Sequence, residues 1–192
     1  MKICFATNNS NKLQEVQQML VATDYEILSL KSIGCTEELP ETTGTIEGNS
    51  AQKAKYVHQT YGIPCFADDT GLEVRCLDGA PGVDSAFFAG PQRSAADNNQ
   101  LLLERMQNAT DRSARFKTVI SWSADGVFEQ FTGIVSGQIM ESLSGDEGFG
   151  YDPLFQPDGF TQTFAQMAIS QKNDISHRAL ATRQFIDYLS AR

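Results

Sequence analysis

Two adjacent aspartates, Asp68 and Asp69, interrupt a stretch of the chain that is otherwise apolar. Residues 65–67 precede them, and Leu72 and Val74 follow, which predicts a strand. Because successive side chains of a strand point to opposite faces, at least one carboxylate should face the core or a cleft. A buried carboxylate is costly unless it is paired or binds a metal, and oxygen ligands suit Mg²⁺. The alternative is a strand end at which both acids meet water.

A loop of short polar residues, Thr7-Asn8-Asn9-Ser10-Asn11-Lys12, follows an apolar run near the start of the chain. A strand that leads through such a loop into a helix favours anion binding, because free main-chain N–H groups and the helix dipole attract negative charge. Lys12 adds a mobile positive charge. The loop lacks the GxxxxGK[ST] pattern of a Walker A loop. Taken alone, it is better explained as an ordinary capped turn between a strand and a helix.

A polar segment that contains Glu41 precedes a predicted helix that carries Lys53. Glu41 could supply a second carboxylate to a metal ion. Lys53 could contact a phosphate, or it could be an exposed helix lysine.

The sequence Gly148-Phe149-Gly150-Tyr151-Asp152-Pro153 combines glycine with aromatic and acidic residues. The glycines allow the main chain to approach a flat ligand closely. Phe149 or Tyr151 could stack on a base, and Asp152 could hydrogen-bond to the edge of that base. The alternative is a turn with a packed aromatic ring.

A fifth group of candidate residues consists of Lys172 and the run Ser176-His177-Arg178 at a predicted helix start. Arg178 offers a planar fork of donors. His177, taken alone, is typical of a solvent-facing residue in the first turn of a helix.

The elements that must position these residues alternate between strand and helix in the first half of the chain, and a hairpin around Asp125-Gly126 follows. This order predicts an α/β fold with a mixed sheet. Strands are predicted at 2–6, 25–30, 64–74, 114–123 and 127–140, and helices at 11–22, at 47–61, from Ser94 through Met106, and after Ser176.

The bulk composition limits the possible functions. The chain has 192 residues and a formal net charge of −9, so we expect a single domain (1–192) and no nucleic-acid partner. We expect no membrane span, because no apolar run approaches about 18 residues. The chain begins without a signal-peptide pattern and has four cysteines in no CxxC pair, which predicts a cytoplasmic protein with reduced thiols.

The ordered motifs resemble those of the inosine/xanthosine triphosphate pyrophosphatases, from Ile3 to about Leu189. Each motif alone is weak, but the ordered set is specific. The motifs are ATNNSNK, ETTGTIEGNSAQKA, FADDTGLEV, GAPGVDSA, GFGYDPLF and ISHR.

The resemblance implies an elongated two-lobed α/β subunit, with a long central mixed sheet flanked by helices and a cleft between the lobes. It also implies a homodimer that hydrolyses ITP, dITP and XTP to the monophosphate and pyrophosphate with Mg²⁺, removing deaminated purines from the nucleotide pool. By the same resemblance, the metal ligands would be Glu41 and Asp69, with Asp68 as an alternative, and Asp69 would accept a proton from water. The predicted substrate-binding residues are Thr7, Asn8, Asn9, Ser10, Asn11, Lys12, Lys53, Thr70, Phe149, Gly150, Tyr151, Asp152, Lys172, His177 and Arg178.

The base would be chosen by the sign of its hydrogen bonds. A donor such as Arg178 or a main-chain N–H can donate to the 6-keto oxygen of hypoxanthine and xanthine, but it would face another donor in the 6-amino group of adenine. One position departs from the family pattern, because Phe87 stands where bacterial members often have arginine.

Two other functions remain open at this stage. One is a pyrimidine or modified-nucleotide pyrophosphatase of the related septum-inhibition (Maf-like) family, although the FGYDP and SHR motifs favour purine. The other is a non-catalytic module that senses ITP or XTP. Asp68 and Asp69 argue against the second, because extra negative charge does not help to bind an anion unless a metal is present.

Overall fold

The computed structural model describes residues 1–20 and 25–191. Its helices and strands alternate through the first half of the chain, as the sequence predicts. The strands are β1 (Lys2–Phe5), β2 (Glu26–Ser29), β3 (Cys65–Val74), β4 (Pro81–Gly82), β5 (Ser113–Ala124), β6 (Val127–Ile139) and β7 (Phe155–Pro157), and the α-helices are α1 (Ser10–Leu20), α2 (Ile46–Tyr61), α3 (Ala95–Arg105), α4 (Ile169–Ile175) and α5 (His177–Ser190).

The strands form a mixed seven-stranded sheet in the order β2-β1-β3-β5-β6-β7, with β4 beside β3. Strand β1 runs parallel to β2 and to β3, with Cys4 opposite Cys65. Strand β4 pairs with β3, and β7 with β6, in the antiparallel sense. The predicted α/β class with a mixed sheet is therefore confirmed.

The chain divides into two compact units. The first consists of residues 1–69, 118–133 and 178–192, and the second of residues 70–117 and 134–177. Strands β3, β5 and β6 each contribute residues to both units.

The first unit has helices on both faces of its strands. Alternate residues of β1 and β3, such as Phe5 and Phe66, pack with side chains of α1 and α5. The intervening residues, such as Cys4 and Ala67, pack with Ala54 of α2. This alternation follows from the period of two along a strand, and it decides where the carboxylates of β3 point.

The second unit has its own apolar core, built around aromatic residues of β5, β7 and the segments near α4. Phe116 and Phe155 meet edge to face, with ring centroids 4.7 Å apart. Leu72 of β3 and Leu102 of α3 are fully buried in the same cluster.

The ends of α2 and α3 follow the sequence rules for capping. Thr45 Oγ1 accepts the N–H of Gly48 at the start of α2, and Ser94 Oγ accepts the N–H of Asp97 at the start of α3. Helix α2 ends at Tyr61, and the next residue, Gly62, has a φ of 66°, which suits a residue without a Cβ.

Several predicted boundaries differ from the structure. The predicted loop after residue 141 contains β7, and α4 was not predicted. Both elements are short, at three and seven residues, so they carry little periodicity. The first helix was predicted to extend to residue 22. Residues 21 and 22 lie outside the described residues.

Candidate active site

The two aspartates of β3 point to opposite faces of the strand. Asp68 shares the face of Phe66 and meets side chains of α1 and α5, whereas Asp69 shares the face of Ala67 and meets α2. One pair of neighbouring carboxylates therefore has two different environments.

Asp68 is fully buried and is neutralised by two cations of the protein itself. Lys12 Nζ lies 3.0 Å from its Oδ1, and Arg178 Nε lies 3.1 Å from its Oδ2. Burial alone would raise the pKa of Asp68, but Lys12 and Arg178 hold that pKa well below its ordinary value. The alternative in which both acids meet water is wrong.

Arg178 is also buried, and its Nη1 donates to Glu15 of α1. Two donors of its fork are thus directed at carboxylates within the first unit. Arg178 therefore has a structural role, which is to pair with Glu15 and Asp68. The sequence predicted only that Arg178 binds the base. The base-binding role itself stays a prediction.

Asp69 has a different partner. Lys53 Nζ lies 3.4 Å from Asp69 Oδ1 and also donates to Glu41. Burial raises the pKa of Asp69, although Lys53 and Lys12 oppose that shift. Within the part of the chain that the structure describes, Asp69 Oδ2 is buried and has no hydrogen-bond partner.

Lys53 is itself buried, at 6% exposure, so the interpretation of Lys53 as an exposed helix lysine is wrong. Burial would lower the pKa of Lys53, but the attraction of Asp69 and Glu41 outweighs it and raises the pKa. The lysine ammonium therefore holds the position between two carboxylates at which a cation is favoured.

Glu41 and Asp69 fit a metal that completes its coordination with water and phosphate oxygens. Among residues 1–20 and 25–191, no group of three or more His, Cys, Asp and Glu side chains could hold a metal ion by itself. Mg²⁺ is often held by only one or two carboxylates together with substrate phosphates. The buried Asp69 Oδ2, an acceptor without a donor, is consistent with such a ligand.

The loop at residues 7–12 forms the start of α1, but it is more closed than the sequence suggests. Asn9 Oδ1 accepts the N–H groups of Asn11 and Lys12 at 3.0 and 3.2 Å, and Thr7 Oγ1 accepts that of Asn9 at 3.1 Å. The expectation of free N–H groups is thus wrong for these three. Among the described residues, the N–H groups of Asn8 and Ser10 have no acceptor, and Lys12, in the first turn of α1, pairs with Asp68.

In the second unit, Phe149, Asp152 and Lys172 lie together. Asp152 Oδ2 accepts from Phe149 N at 2.8 Å and from Lys172 Nζ at 2.6 Å. The same ammonium lies 4.9 Å from the centroid of the Phe149 ring. A Cβ on Gly148 would lie 2.1 Å from Asp152 Oδ2, so this close approach requires glycine.

The two aromatic residues of this loop differ in exposure. Tyr151 is buried, and its hydroxyl donates to the carbonyl of Ser85 at 2.9 Å. Burial raises the pKa of Tyr151. Phe149 is partly exposed, and of the two it is the ring that a base can reach.

His177 is buried rather than solvent-facing, which corrects the interpretation of this residue taken alone. Its ring stacks on Phe116 with centroids 4.4 Å apart and an interplanar angle of 15°. His177 thus packs among the aromatic residues of the second unit. Thr70, the residue after Asp69, is the first residue of this unit.

The predicted residues thus separate into two groups by unit. Lys12, Glu41, Lys53, Asp69 and Arg178 belong to the first unit with the rest of the 7–12 loop and Asp68. The second unit holds Thr70, Phe149, Gly150, Tyr151, Asp152, Lys172 and His177.

Sequence reasoning missed Glu15, Gln52 and Asn99, and it placed Asn49 at the polar start of a helix without giving it a role. Glu15 is buried on α1, but it is not spaced by three or four residues from Val16 or Leu20, so the apolar periodicity of the helix does not mark it. Asn99 donates to the carbonyl of Gly150 at 2.9 Å, but nothing in its sequence context marks that contact. Asn49 and Gln52 are considered below.

Comparison with known proteins gives one consistent result. The model of the Ham1 family matches residues 3–188. A dITP/XTP pyrophosphatase of Flavobacterium psychrophilum is 52% identical over 188 residues, which is 98% of each chain. Among solved structures, a HAM1 protein from Coxiella burnetii has a TM-score of 0.93 and 32% identity over 100% of both chains. The Staphylococcus aureus Ham1 protein has a TM-score of 0.91 and 35% identity, over 100% of this chain and 99% of that one.

Proposed function

The chain belongs to the Ham1 family, and from that premise we propose that it hydrolyses non-standard purine nucleoside triphosphates to the monophosphate and pyrophosphate. Relatives about half identical in sequence carry the name dITP/XTP pyrophosphatase. The geometry of the site supports a choice of the residues that would perform the reaction and of those that would hold a metal ion.

The observation that carries the assignment is the pair Glu41 and Asp69 with Lys53 between them. We propose that this pair holds Mg²⁺, which when bound offsets the charge of the triphosphate and of the leaving pyrophosphate. Lys53 would then be available to a phosphate oxygen instead of to both carboxylates. Lys12 and the 7–12 loop would hold the remaining phosphate oxygens.

Asp69 is the proposed general base. Its carboxylate has a raised pKa and a buried oxygen without a donor, so it can accept a proton from the water that attacks the α-phosphorus. Asp68 is a weaker candidate, because Lys12 and Arg178 hold it ionised and engage both its oxygens.

The base of the nucleotide is proposed to bind in the second unit. The partly exposed ring of Phe149 offers a stacking surface, and Asp152 and Lys172 offer an acceptor and a donor beside it. A donor directed at position 6 of the purine would favour the keto group of ITP and XTP over the amino group of ATP.

Assembly and location are also proposals. The family resemblance supports a homodimer, which sedimentation equilibrium would detect as twice the chain mass of 21.1 kDa. The helices in the described part of the chain include none that is long and apolar enough to cross a membrane. The four cysteines are free thiols, which supports a cytoplasmic protein.

The decisive test is pyrophosphate release from ITP, XTP, dITP, GTP, ATP, dUTP and dTTP, each with and without Mg²⁺. We expect Mg²⁺-dependent turnover of ITP, dITP and XTP. This turnover should exceed that of ATP by at least about a hundredfold. Preference for dUTP or dTTP would instead support the pyrimidine alternative. Tight binding of ITP without turnover would support a sensor module.

A further inference from the structure

The segment that carries Glu41, residues 37–45, has no helix or strand of its own. The side chain of Glu41 is one-third exposed, at 33%, and among the described residues its carboxylate contacts Lys53. A carboxylate on an irregular, exposed segment has many positions available to it. Some other part of the protein must therefore hold its main chain in place.

Helix α2 supplies that support through polar side chains on one face. Gln52 Oε1 accepts the N–H of Thr42 at 2.9 Å, and Gln52 Nε2 donates to Thr42 Oγ1 at 3.0 Å. Asn49 Oδ1 accepts the N–H of Thr43 at 3.1 Å and its hydroxyl at 2.9 Å. The two residues that follow Glu41 are thus bound by their main chain and side chain to α2.

The same helix face carries Lys53, the partner of Glu41. Positions 49, 52, 53 and 56 are spaced by three and four residues, so they follow one another along one side of a helix. Helix α2 therefore supplies both kinds of contact. It binds the main chain after Glu41, and it pairs with the Glu41 carboxylate.

Gly48 allows the segment to lie directly on the first turn of α2. A Cβ at this position would lie 2.2 Å from Thr43 Oγ1 and 2.7 Å from Thr45 Oγ1. Any larger residue would displace the chain beside Glu41. The φ of Gly48 lies outside the left-handed region. The glycine is therefore needed here for the close approach and not for its backbone angle.

The other end of the segment is also attached to α2. Tyr56 and Tyr61 donate to Glu37 Oε1 at 3.1 and 2.7 Å. Glu41 consequently lies between two attachments to the same helix.

We propose that Asn49 and Gln52 are positioning residues that hold Glu41 where it can bind the metal ion. This inference rests on the proposed function, because it takes Glu41 to be a metal ligand. Each side chain contributes hydrogen bonds that would be lost on truncation, and the freed segment would then bind a cation less tightly. We expect the loss to be about fivefold to tenfold for each residue.

The test measures the Kd for Mn²⁺ in the nucleotide-free protein by electron paramagnetic resonance. Asn49→Ala and Gln52→Ala should each raise this Kd about fivefold to tenfold, with a higher metal KM in turnover and little change in kcat at saturating metal. Gln59→Ala is the matched control, because Gln59 is an exposed glutamine of the same helix whose side chain has no hydrogen-bond partner among the described residues. It should leave the Kd unchanged. The added Cβ of Gly48→Ala would displace the same segment, so this variant should raise the Kd for Mn²⁺ as well.

A double-mutant cycle separates positioning from general damage to the helix. Glu41→Gln should raise the Kd for Mn²⁺ by itself, and adding Asn49→Ala or Gln52→Ala to it should produce no further increase. An undiminished increase in that background, or no increase in the single variants and in Gly48→Ala, would overturn the positioning role. If Glu41→Gln itself left the Kd unchanged, Glu41 would not be a metal ligand, and both the proposed metal site and this inference would fail.

Discussion

At the scale of single residues, the structure separates two aspartates that the sequence presents as a pair. Asp68 is a fully buried anion with two cationic partners, Lys12 and Arg178. Asp69 pairs with Lys53 and has a raised pKa, and among the described residues its buried Oδ2 has no donor. The first environment favours a fixed charge, and the second favours a group that can bind a cation or accept a proton.

Asp69→Asn tests the chemical role. The asparagine cannot accept a proton from water, so we expect kcat to fall by about 10²-fold to 10⁴-fold. Burial already disfavours the charged form of Asp69, so the midpoint of thermal unfolding should change little. Pyrophosphate release and differential scanning calorimetry measure the two quantities. Activity above about a tenth of wild type would remove Asp69 from the base role.

Asp68→Asn should act mainly on stability. The change removes the buried carboxylate that pairs with both Lys12 and Arg178 and leaves Arg178 paired with Glu15. Removing one partner of a buried ion pair costs about 3–5 kcal/mol. Chemical denaturation measures the free energy of unfolding. Equal stability of the Asp68→Asn and Asp69→Asn proteins would contradict the distinction between the two carboxylates.

At the scale of elements, α2 connects the candidate metal site to the irregular segment before it. The helix carries Lys53, and it binds the segment near Glu41 through Asn49 and Gln52 and at Glu37 through Tyr56 and Tyr61. The hydroxyl of Tyr61, with the N–H groups of the segment, lowers the pKa of Glu37 from its ordinary 4.5 to about 2.

This shift predicts a dependence of stability on pH. Because the pKa of Glu37 is lower in the folded protein, its stabilisation is complete above about 4.5 and is lost as the pH falls through about 2. Tyr61→Phe should therefore lower the unfolding temperature at neutral pH, and its difference from wild type should shrink as the pH falls below about 4.5. Scanning calorimetry over this range measures the difference.

A second tyrosine provides the control for that experiment. Tyr25 donates to the main-chain carbonyl of Leu189 at 3.1 Å, and a carbonyl does not titrate. Tyr25→Phe should therefore lower the unfolding temperature by an amount that is independent of pH. A pH-independent difference for Tyr61→Phe as well would show that Glu37 is not the titrating partner.

At the scale of the whole molecule, an acidic protein is proposed to act on an anionic substrate. The formal net charge is −9, yet Lys12, Lys53 and Arg178 lie beside the carboxylates of the first unit and Lys172 lies in the candidate base site. A small triphosphate can meet these few cations together with a metal, whereas a polynucleotide must lie along an extended basic surface.

We therefore expect no measurable binding to a duplex of about 30 base pairs at about 0.1 M salt. Under the same conditions, ITP with Mg²⁺ should bind and turn over. Fluorescence anisotropy of a labelled duplex, with a basic DNA-binding protein as positive control, makes the comparison. A salt-sensitive rise in anisotropy would contradict the expectation that nucleic acid is not a partner.

The sequence alone was sufficient for the features that depend on local periodicity and on motif order. The apolar run before Asp68 predicts β3, the Gly-then-Pro ending predicts the end of α2 at Gly62, and the ordered motifs identify the family. These features follow from a few neighbouring residues, so they need no knowledge of the rest of the chain.

Only the tertiary structure decided which side chain meets which. Alternation along β3 predicts that Asp68 and Asp69 point apart, but the partners on each face come from α1, α2 and α5, which lie far away in the sequence. The burial of His177 on Phe116 and the support of Glu41 by Asn49 and Gln52 depend on the same long-range packing. A pKa is set by burial and by charges a few ångströms away, and sequence distance does not measure either quantity.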